Sequence, residues 1–181
     1  MSFMTSTRVV RTALASAALL VLGTVAAPAA NAYNPDIDGD GIPNTWEMKG
    51  YDADGDGKVD VDYPGMGANP LKKDIFVEMD YMPGLLASEE ELDRITESFA
   101  QLPVRNPNGT TGINIHLDAG SARSAKYNLG GGNEVAHEQL DNTMTKWAEI
   151  RSKNMDPNRE SVFHYMIWGD AYDEYGSSGL G

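Results

Sequence analysis

The residues with the most obvious chemistry lie between Tyr33 and Tyr63, a stretch that holds nine of the 27 acidic residues of the chain. Within it, residues 36–47 (DIDGDGIPNTWE) match the calcium-loop pattern D-x-[DN]-x-[DN]-G-x5-E at every defined position. Alternating acidic side chains turn their oxygens inwards, and a final glutamate closes the coordination shell with two oxygens. The expected ligands are the side chains of Asp36, Asp38, Asp40, Asn44 and Glu47, and the carbonyl of Ile42.

This set of oxygen ligands predicts Ca²⁺ as the bound ion. A flexible loop of hard oxygen ligands suits Ca²⁺ better than Mg²⁺, and a loop without His or Cys disfavours zinc. The alternative is an acidic linker that is solvated and binds no ion, but like charges so close together would then repel one another. The sequence therefore favours one calcium site here.

A second, less complete loop follows over residues 52–63, and we expect it to be a further calcium site. Its position 12 is Tyr63, which carries no carboxylate. The site must therefore borrow a carboxylate, from Asp62 or Asp74, or bind Ca²⁺ weakly. The expected ligands are the side chains of Asp52, Asp54, Asp56 and Asp60, and the carbonyl of Lys58.

Residues 1–32 have the features of an export signal. Arg8 and Arg11 precede an apolar stretch from Ala13 to Ala27, and Ala30-Asn31-Ala32 fits the A-x-A cleavage pattern. The alternative is an uncleaved membrane anchor, but about 15 apolar residues are fewer than the roughly 20 that a bilayer span needs. We therefore expect a secreted protein that begins at Tyr33 after cleavage.

Composition excludes several classes of function. The chain has 14 basic against 27 acidic residues and a net charge of −13, so it lacks the clustered Lys and Arg that bind nucleic acid or anionic membranes. It contains no cysteine, which excludes disulfides, thiolate metal sites and cysteine nucleophiles. We therefore expect neither nucleic acid nor membrane as a partner of the mature chain.

The elements around the first loop favour a structural brace over a calcium sensor. Pro43 and Gly50 bracket one short helix, Asn44 to Lys49. After cleavage, too few residues precede Asp36 to form an entering helix. A helix–loop–helix pair that opens on ion binding is therefore not expected.

Residues 71–181 read as alternating strands and helices after the loop segment of residues 33–70. Two flanking helices are expected, one capped by Ser88 and ended by Pro103, the other from Asn133 to about Ser152. The expected fold is α+β, an incomplete mixed sheet with those two helices. The expected strands are Ile75 to Met82, Gly112 to Asp118 and the apolar run Val162 to Trp168, which we expect to be central.

Five ordered blocks resemble the front part of secreted bacterial zinc metalloproteases, and the fold expected from that resemblance is metzincin-like. The blocks are the double Asp-rich loop, GANPLKKDIFVEMDYM, NPNGTTGINIHLDAG, YNLGGGN and VFHYMIW…SSGLG. The loop spacing also resembles the calcium loops of thrombospondin type 3 repeats and dockerins. In the protease family, the resemblance implies further strands and a zinc-binding H-E-x-x-H helix after this segment.

This chain contains no H-E-x-x-H; its nearest string is His137-Glu138-Gln139-Leu140-Asp141, where an aspartate replaces the second histidine. Zn²⁺ is therefore expected only in a longer relative, and a peptide or protein substrate only if the catalytic half is present. The first hypothesis is a secreted calcium-binding protein that resembles the N-terminal half of a zinc metalloendopeptidase and is inactive by itself. The second is a stand-alone, calcium-stabilised extracellular binding module without enzymatic activity.

Overall fold

The computed structural model describes residues 35–141 and 143–170, in which helices and strands alternate after an initial loop segment. The predicted signal peptide, residues 1–32, lies outside these described residues. Among them, no helix combines the length and apolar character needed to cross a bilayer. The helices are α1 (Asn44–Lys49), α2 (Glu89–Ala100) and α3 (Thr145–Asn154), and the strands are β1 (Asp74–Tyr81), β2 (Asn114–Asp118) and β3 (Phe163–Trp168).

Strand β1 lies at the centre of a three-stranded sheet with the order β2-β1-β3. Five consecutive residues of β1, from Phe76 to Asp80, are buried, as expected for a strand covered on both faces. The α+β prediction, with a small open sheet and flanking helices, is confirmed. Both pairings of the described strands are parallel, whereas a mixed sheet was expected. Strand β3 is an outer strand of the three, so the prediction that it would be central is wrong.

Helix α2 covers one face of the sheet and begins as its sequence predicts. Ser88 and Glu91 form a capping box, in which each side chain accepts a hydrogen bond from the backbone N–H of the other residue. Leu92 is fully buried against Val77 and Leu117 of the sheet, and burial of such a side chain contributes about 1.5–3 kcal/mol. The helix ends at Ala100, before Pro103.

Helix α3 starts later than predicted, at Thr145 rather than Asn133. The segment after Asn133 is extended because it adds to the end of β1: Tyr81 donates to the carbonyl of Asn133, and its own carbonyl accepts from the N–H of Val135. The carboxylate of Asp141 accepts from the N–H groups of Thr145 and Lys146, at 3.1 and 2.8 Å. These tertiary and capping bonds fix the helix start, which the apolar pattern could not show.

The loop segment is joined to the sheet by an aromatic cluster. Tyr63 packs edge-on against Phe76 of β1, with ring centroids 5.4 Å apart, and Phe76 contacts Phe163 of β3 at 5.1 Å. Tyr63 is completely buried. Position 12 of the second loop is therefore part of the hydrophobic core, which explains why an aromatic residue replaces the usual carboxylate there.

Candidate metal centre

The first loop gathers carboxylates in the way that its spacing predicts. Ligand oxygens of Asp36, Asp38 and Asp40 lie within 4.8 Å of one another. The loop is closed by Asp36, whose two oxygens accept from the N–H groups of Gly39 and Gly41 at 2.7 and 2.9 Å. Gly41 has φ +95°, a left-handed conformation that explains the glycine at this position. These three aspartates form a group that could hold a metal ion.

Glu47 is the most unusual side chain of the site. Helix α1 carries it into the interior, where it is only 1% exposed, and neither carboxylate oxygen has a hydrogen-bond partner. Burial, followed by the charges of Asp40 and Asp38, raises the pKa of Glu47 from 4.5 to about 8. Without a compensating cation, a buried carboxylate of this kind is costly to ionise.

Asp38 is a second buried carboxylate of this loop, and its pKa is raised less than that of Glu47. It is 6% exposed, and its Oδ2 is buried without a hydrogen-bond partner. Burial and the charge of Asp40 raise its pKa from 3.8 to about 6. Buried carboxylate oxygens of Asp38 and Glu47 therefore have no hydrogen-bond partner, and a cation bound in the loop would provide one.

Asp74, the first residue of β1, lies beside the first loop in a second acidic group that shares Asp40 with it, and sequence reasoning did not place it there. Ligand oxygens of Asp40, Glu47 and Asp74 lie within 4.8 Å of one another. The backbone N–H of Asp74 also donates to Oδ2 of Asp40 at 2.7 Å. The suggestion that Asp74 serves the second loop is thus replaced by its position beside the first. Only long-range folding brings it there, so loop spacing gave no signal for it.

The other two predicted ligands of the first loop also lie in it. The side chain of Asn44 is buried, and its Oδ1 accepts from the N–H of Ile37 at 2.9 Å. Ile42, whose carbonyl is the predicted ligand, is buried in the cluster around Tyr63 and Phe76. A cleft of about 230 Å³ opens beside these residues and is lined by Asp40, Ile42, Asp74 and His164, among others.

The second loop repeats the bonding of the first. Asp52 accepts from Gly55 and Gly57, as Asp36 does from Gly39 and Gly41, and Asp60 accepts from Ala53 as Asn44 does from Ile37. Oxygens of Asp52, Asp54 and Asp60 lie within 4.8 Å of one another. This second group could also hold a metal ion.

Two features make the second loop a poorer site than the first. The side chain of Asp56 forms an exposed ion pair with Lys58 at 2.7 Å, and it is not one of the three grouped aspartates. Asp62, the other suggested source of a carboxylate, accepts from the N–H of Gly65 and is not in the group either. The loop has no counterpart of the buried, unpartnered Glu47 among the described residues.

No histidine of the described residues belongs to a group of side chains that could hold a metal ion. Nε2 of His116 lies 2.6 Å from Oδ1 of Asp74, and Nε2 of His137 lies 2.7 Å from Oδ1 of Asp170. His164 is exposed on β3. The segment from His137 to Asp141 is not helical and forms no strand. Its histidine and aspartate are therefore not presented on one helical face, the arrangement that a zinc helix requires.

A separate buried charge cluster escaped sequence reasoning. Nη1 of Arg159 lies 2.8 Å from Oδ2 of Asp118 and 3.0 Å from Oε2 of Glu78, with all three residues buried. Arg159 also donates to the carbonyl of Leu129. Gly131 packs so closely here that a Cβ on it would lie 2.4 Å from Oε2 of Glu78. This cluster ties the glycine-rich loop to the sheet.

Comparisons of the chain with models of known protein families, with curated proteins and with solved structures found no match. The chemistry of the centre therefore has to be argued from its own residues.

Proposed function

We propose that the first loop binds Ca²⁺ and that the ion braces the N-terminal loop segment against the sheet. The observation that carries the proposal is Glu47, whose carboxylate is buried with both oxygens unpartnered beside Asp40. An uncompensated buried charge costs several kcal/mol. A divalent cation coordinated by this carboxylate removes that cost and at the same time screens the repulsion among the neighbouring aspartates.

The ligand set favours Ca²⁺ over other divalent ions. All the acidic groups are hard oxygen donors. The carbonyl of Ile42, at position 7 of the loop pattern, would add a neutral one. Ca²⁺ accepts six to eight oxygens in flexible geometry, whereas Mg²⁺ demands a tight octahedron and zinc prefers nitrogen or sulfur. The loop therefore fits Ca²⁺ best, with the second loop as a weaker site for the same ion.

The cellular setting belongs to the same proposal. We propose that the signal peptide directs the chain out of the cell and that the mature protein works where calcium is abundant. Calcium loops of extracellular modules have dissociation constants of about 10⁻⁴ to 10⁻³ M. A site of that strength keeps a protein folded by mass action when the free ion exceeds the dissociation constant.

Within this proposal, the calcium-braced domain corresponds to the N-terminal half of a secreted zinc metalloendopeptidase and does not hydrolyse peptides by itself. The five sequence blocks support that origin, and a parallel sheet with α2 on one face is compatible with it. The alternative is a stand-alone calcium-stabilised binding module. Casein hydrolysis by the purified chain that requires zinc and stops with chelator would contradict both versions.

Thermal unfolding tests the calcium brace. The wild-type protein is expected to melt at a higher temperature in Ca²⁺ than in chelator, and Glu47→Ala or Asp36→Ala should reduce this difference. In chelator, Asp36→Ala should melt close to the wild type. Glu97→Ala, an exposed change on α2, is the control and should keep the full response to Ca²⁺. A wild-type melting curve that ignores Ca²⁺ would contradict the proposal.

A further inference from the structure

We propose that Asp74 supplies a further carboxylate to the ion of the first loop and so ties ion binding to the sheet. The inference rests on the proposed function of that loop, and its test separates the two. Asp74 lies outside the twelve-residue calcium pattern, which ends at Glu47. As a ligand, Asp74 would make one ion bind two distant parts of the chain, the loop and the start of β1.

The distances fit one shared ion. Ligand oxygens of Asp40, Glu47 and Asp74 lie within 4.8 Å of one another. Two oxygens bound to the same Ca²⁺ at 2.3–2.6 Å can be no more than about 5 Å apart. The three carboxylates are therefore close enough to share an ion without a large movement of β1.

Glu47 is an independent observation that points to a bound cation in this group. It is 1% exposed, and both of its oxygens lack hydrogen-bond partners. Asp74, in the same group, is 2% exposed. A pair of buried carboxylates so close together is destabilising unless a cation lies between them. A cation bound by Glu47 would therefore lie within reach of Asp74 as well.

Asp74 is also oriented in the manner of a metal ligand. Its Oδ2 accepts from the N–H of Asn69 at 2.7 Å, and its Oδ1 lies 2.6 Å from Nε2 of His116. Each carboxylate oxygen has a second lone pair, so these contacts leave acceptor sites for an ion. Hydrogen-bonded partners behind a ligand are typical of metal sites, where they fix its orientation.

Through these hydrogen-bond partners of Asp74, ion binding would also stabilise the sheet. Asp74 pairs with Asn114 in the parallel register of β1 and β2. His116 of β2 stacks on Phe76 of β1, with ring centroids 4.3 Å apart. An ion held by the loop alone would act on β1 only through the hydrogen bond from the N–H of Asp74 to Asp40. An ion that also holds Asp74 stabilises the start of β1 and its pairing with β2.

The direct test is Asp74→Asn, which keeps the shape of the side chain and removes its charge. The probe is Tb³⁺, whose luminescence is sensitised by Trp46 in the loop, with Ca²⁺ as competitor. Asp74→Asn should weaken Ca²⁺ binding by at least about 10-fold, because it removes a charged ligand of the ion. The matched control Asp62→Asn, an exposed aspartate outside all three acidic groups, should change the affinity by less than about threefold because its charge is screened.

His116→Gln separates a ligand from a residue that acts through the histidine. Glutamine can still donate a hydrogen bond to Asp74, and the variant keeps the carboxylate, so it should weaken Ca²⁺ binding much less than Asp74→Asn. Equal weakening by both variants would overturn the inference, as would wild-type affinity in Asp74→Asn.

Hydrogen exchange of the wild-type protein tests the same inference without a variant that has to fold. Ca²⁺ should slow exchange of the backbone N–H of Asn114, which donates to the carbonyl of Lys73. Protection confined to the first loop and to the N–H of Asp74, which donates to the loop residue Asp40, would overturn the inference and the bracing role, and would leave Ca²⁺ binding by the loop intact. A wild-type protein that binds neither Tb³⁺ nor Ca²⁺ would remove the proposed function and this inference together.

Discussion

The backbone N–H of Asp74 donates a 2.7 Å hydrogen bond to Oδ2 of Asp40, which joins the first acidic loop to the first residue of β1. The loop is therefore attached to the sheet by a polar contact as well as by the packing of Tyr63 on Phe76. Whatever binds to the carboxylate of Asp40 acts on the start of the central strand.

The stability of the calcium-free protein should fall as the pH rises, through Glu47. Burial raises its pKa from 4.5 to about 8, so the folded protein keeps a proton that the unfolded chain releases. The stabilising contribution of this proton is fully present below about pH 4.5 and is lost as the pH approaches about 8. Urea unfolding in chelator across this range measures it.

Glu47→Gln should remove most of that pH dependence. Asp38, whose pKa is raised to about 6, should leave only a smaller slope at lower pH. Ca²⁺ should also remove the slope, because the ion replaces the proton, and its affinity should increase with pH up to about 8. An unchanged slope in Glu47→Gln would contradict this assignment.

Loss of a ligand should matter less in the second loop than in the first. The second loop has no carboxylate at position 12, and its grouped aspartates are more exposed. If its dissociation constant is about 1 mM, then about 1 mM Ca²⁺ stabilises the fold by only about 0.4 kcal/mol. Asp54→Ala should therefore remove little of the Ca²⁺-induced rise in melting temperature. A loss as large as that of Asp36→Ala would show that the two loops are equivalent.

Arg159→Met should destabilise the fold severely. The arginine is 6% exposed and is the counter-charge for the buried carboxylates of Glu78 and Asp118. Its removal leaves both carboxylates buried and unpaired, which typically costs about 3–5 kcal/mol. The free energy of urea unfolding measures the loss.

The matched control for Arg159→Met is Arg94→Met, which removes an exposed ion pair with Glu90 on α2. Exposed pairs of this kind contribute at most about 1 kcal/mol. Similar losses in the two variants would contradict the view that burial makes Arg159 important.

Ser88→Ala should cost about 1 kcal/mol of stability, because the capping box at the start of α2 satisfies two backbone N–H groups. Ser98→Ala is the control: Ser98 lies inside the same helix, is exposed, and donates only to the carbonyl of Arg94. Its change should stay within about 0.5 kcal/mol. Equal effects of the two variants on urea unfolding would show that the cap is not what stabilises this helix.

The sequence by itself determined the features that depend on short-range bonds. The side-chain hydrogen bonds within the first loop join residues no more than seven positions apart, so the spacing of Asp36, Asp38 and Asp40 was enough to predict their grouping. The same holds for α1, which has the predicted bounds, and for the capping box at Ser88. Local patterns predict such features because the interacting atoms are fixed by nearby backbone angles.

Tertiary structure alone decided which distant residues complete these local units. Asp74 reaches the first loop, Arg159 reaches Glu78 and Asp118, and β1 takes the central place that was expected for β3. The apolar pattern from Asn133 onwards predicted a helix, but hydrogen bonds to Tyr81 hold its start in an extended form. In each case the deciding contact is long-range, and its free energy is gained only when the sheet has assembled.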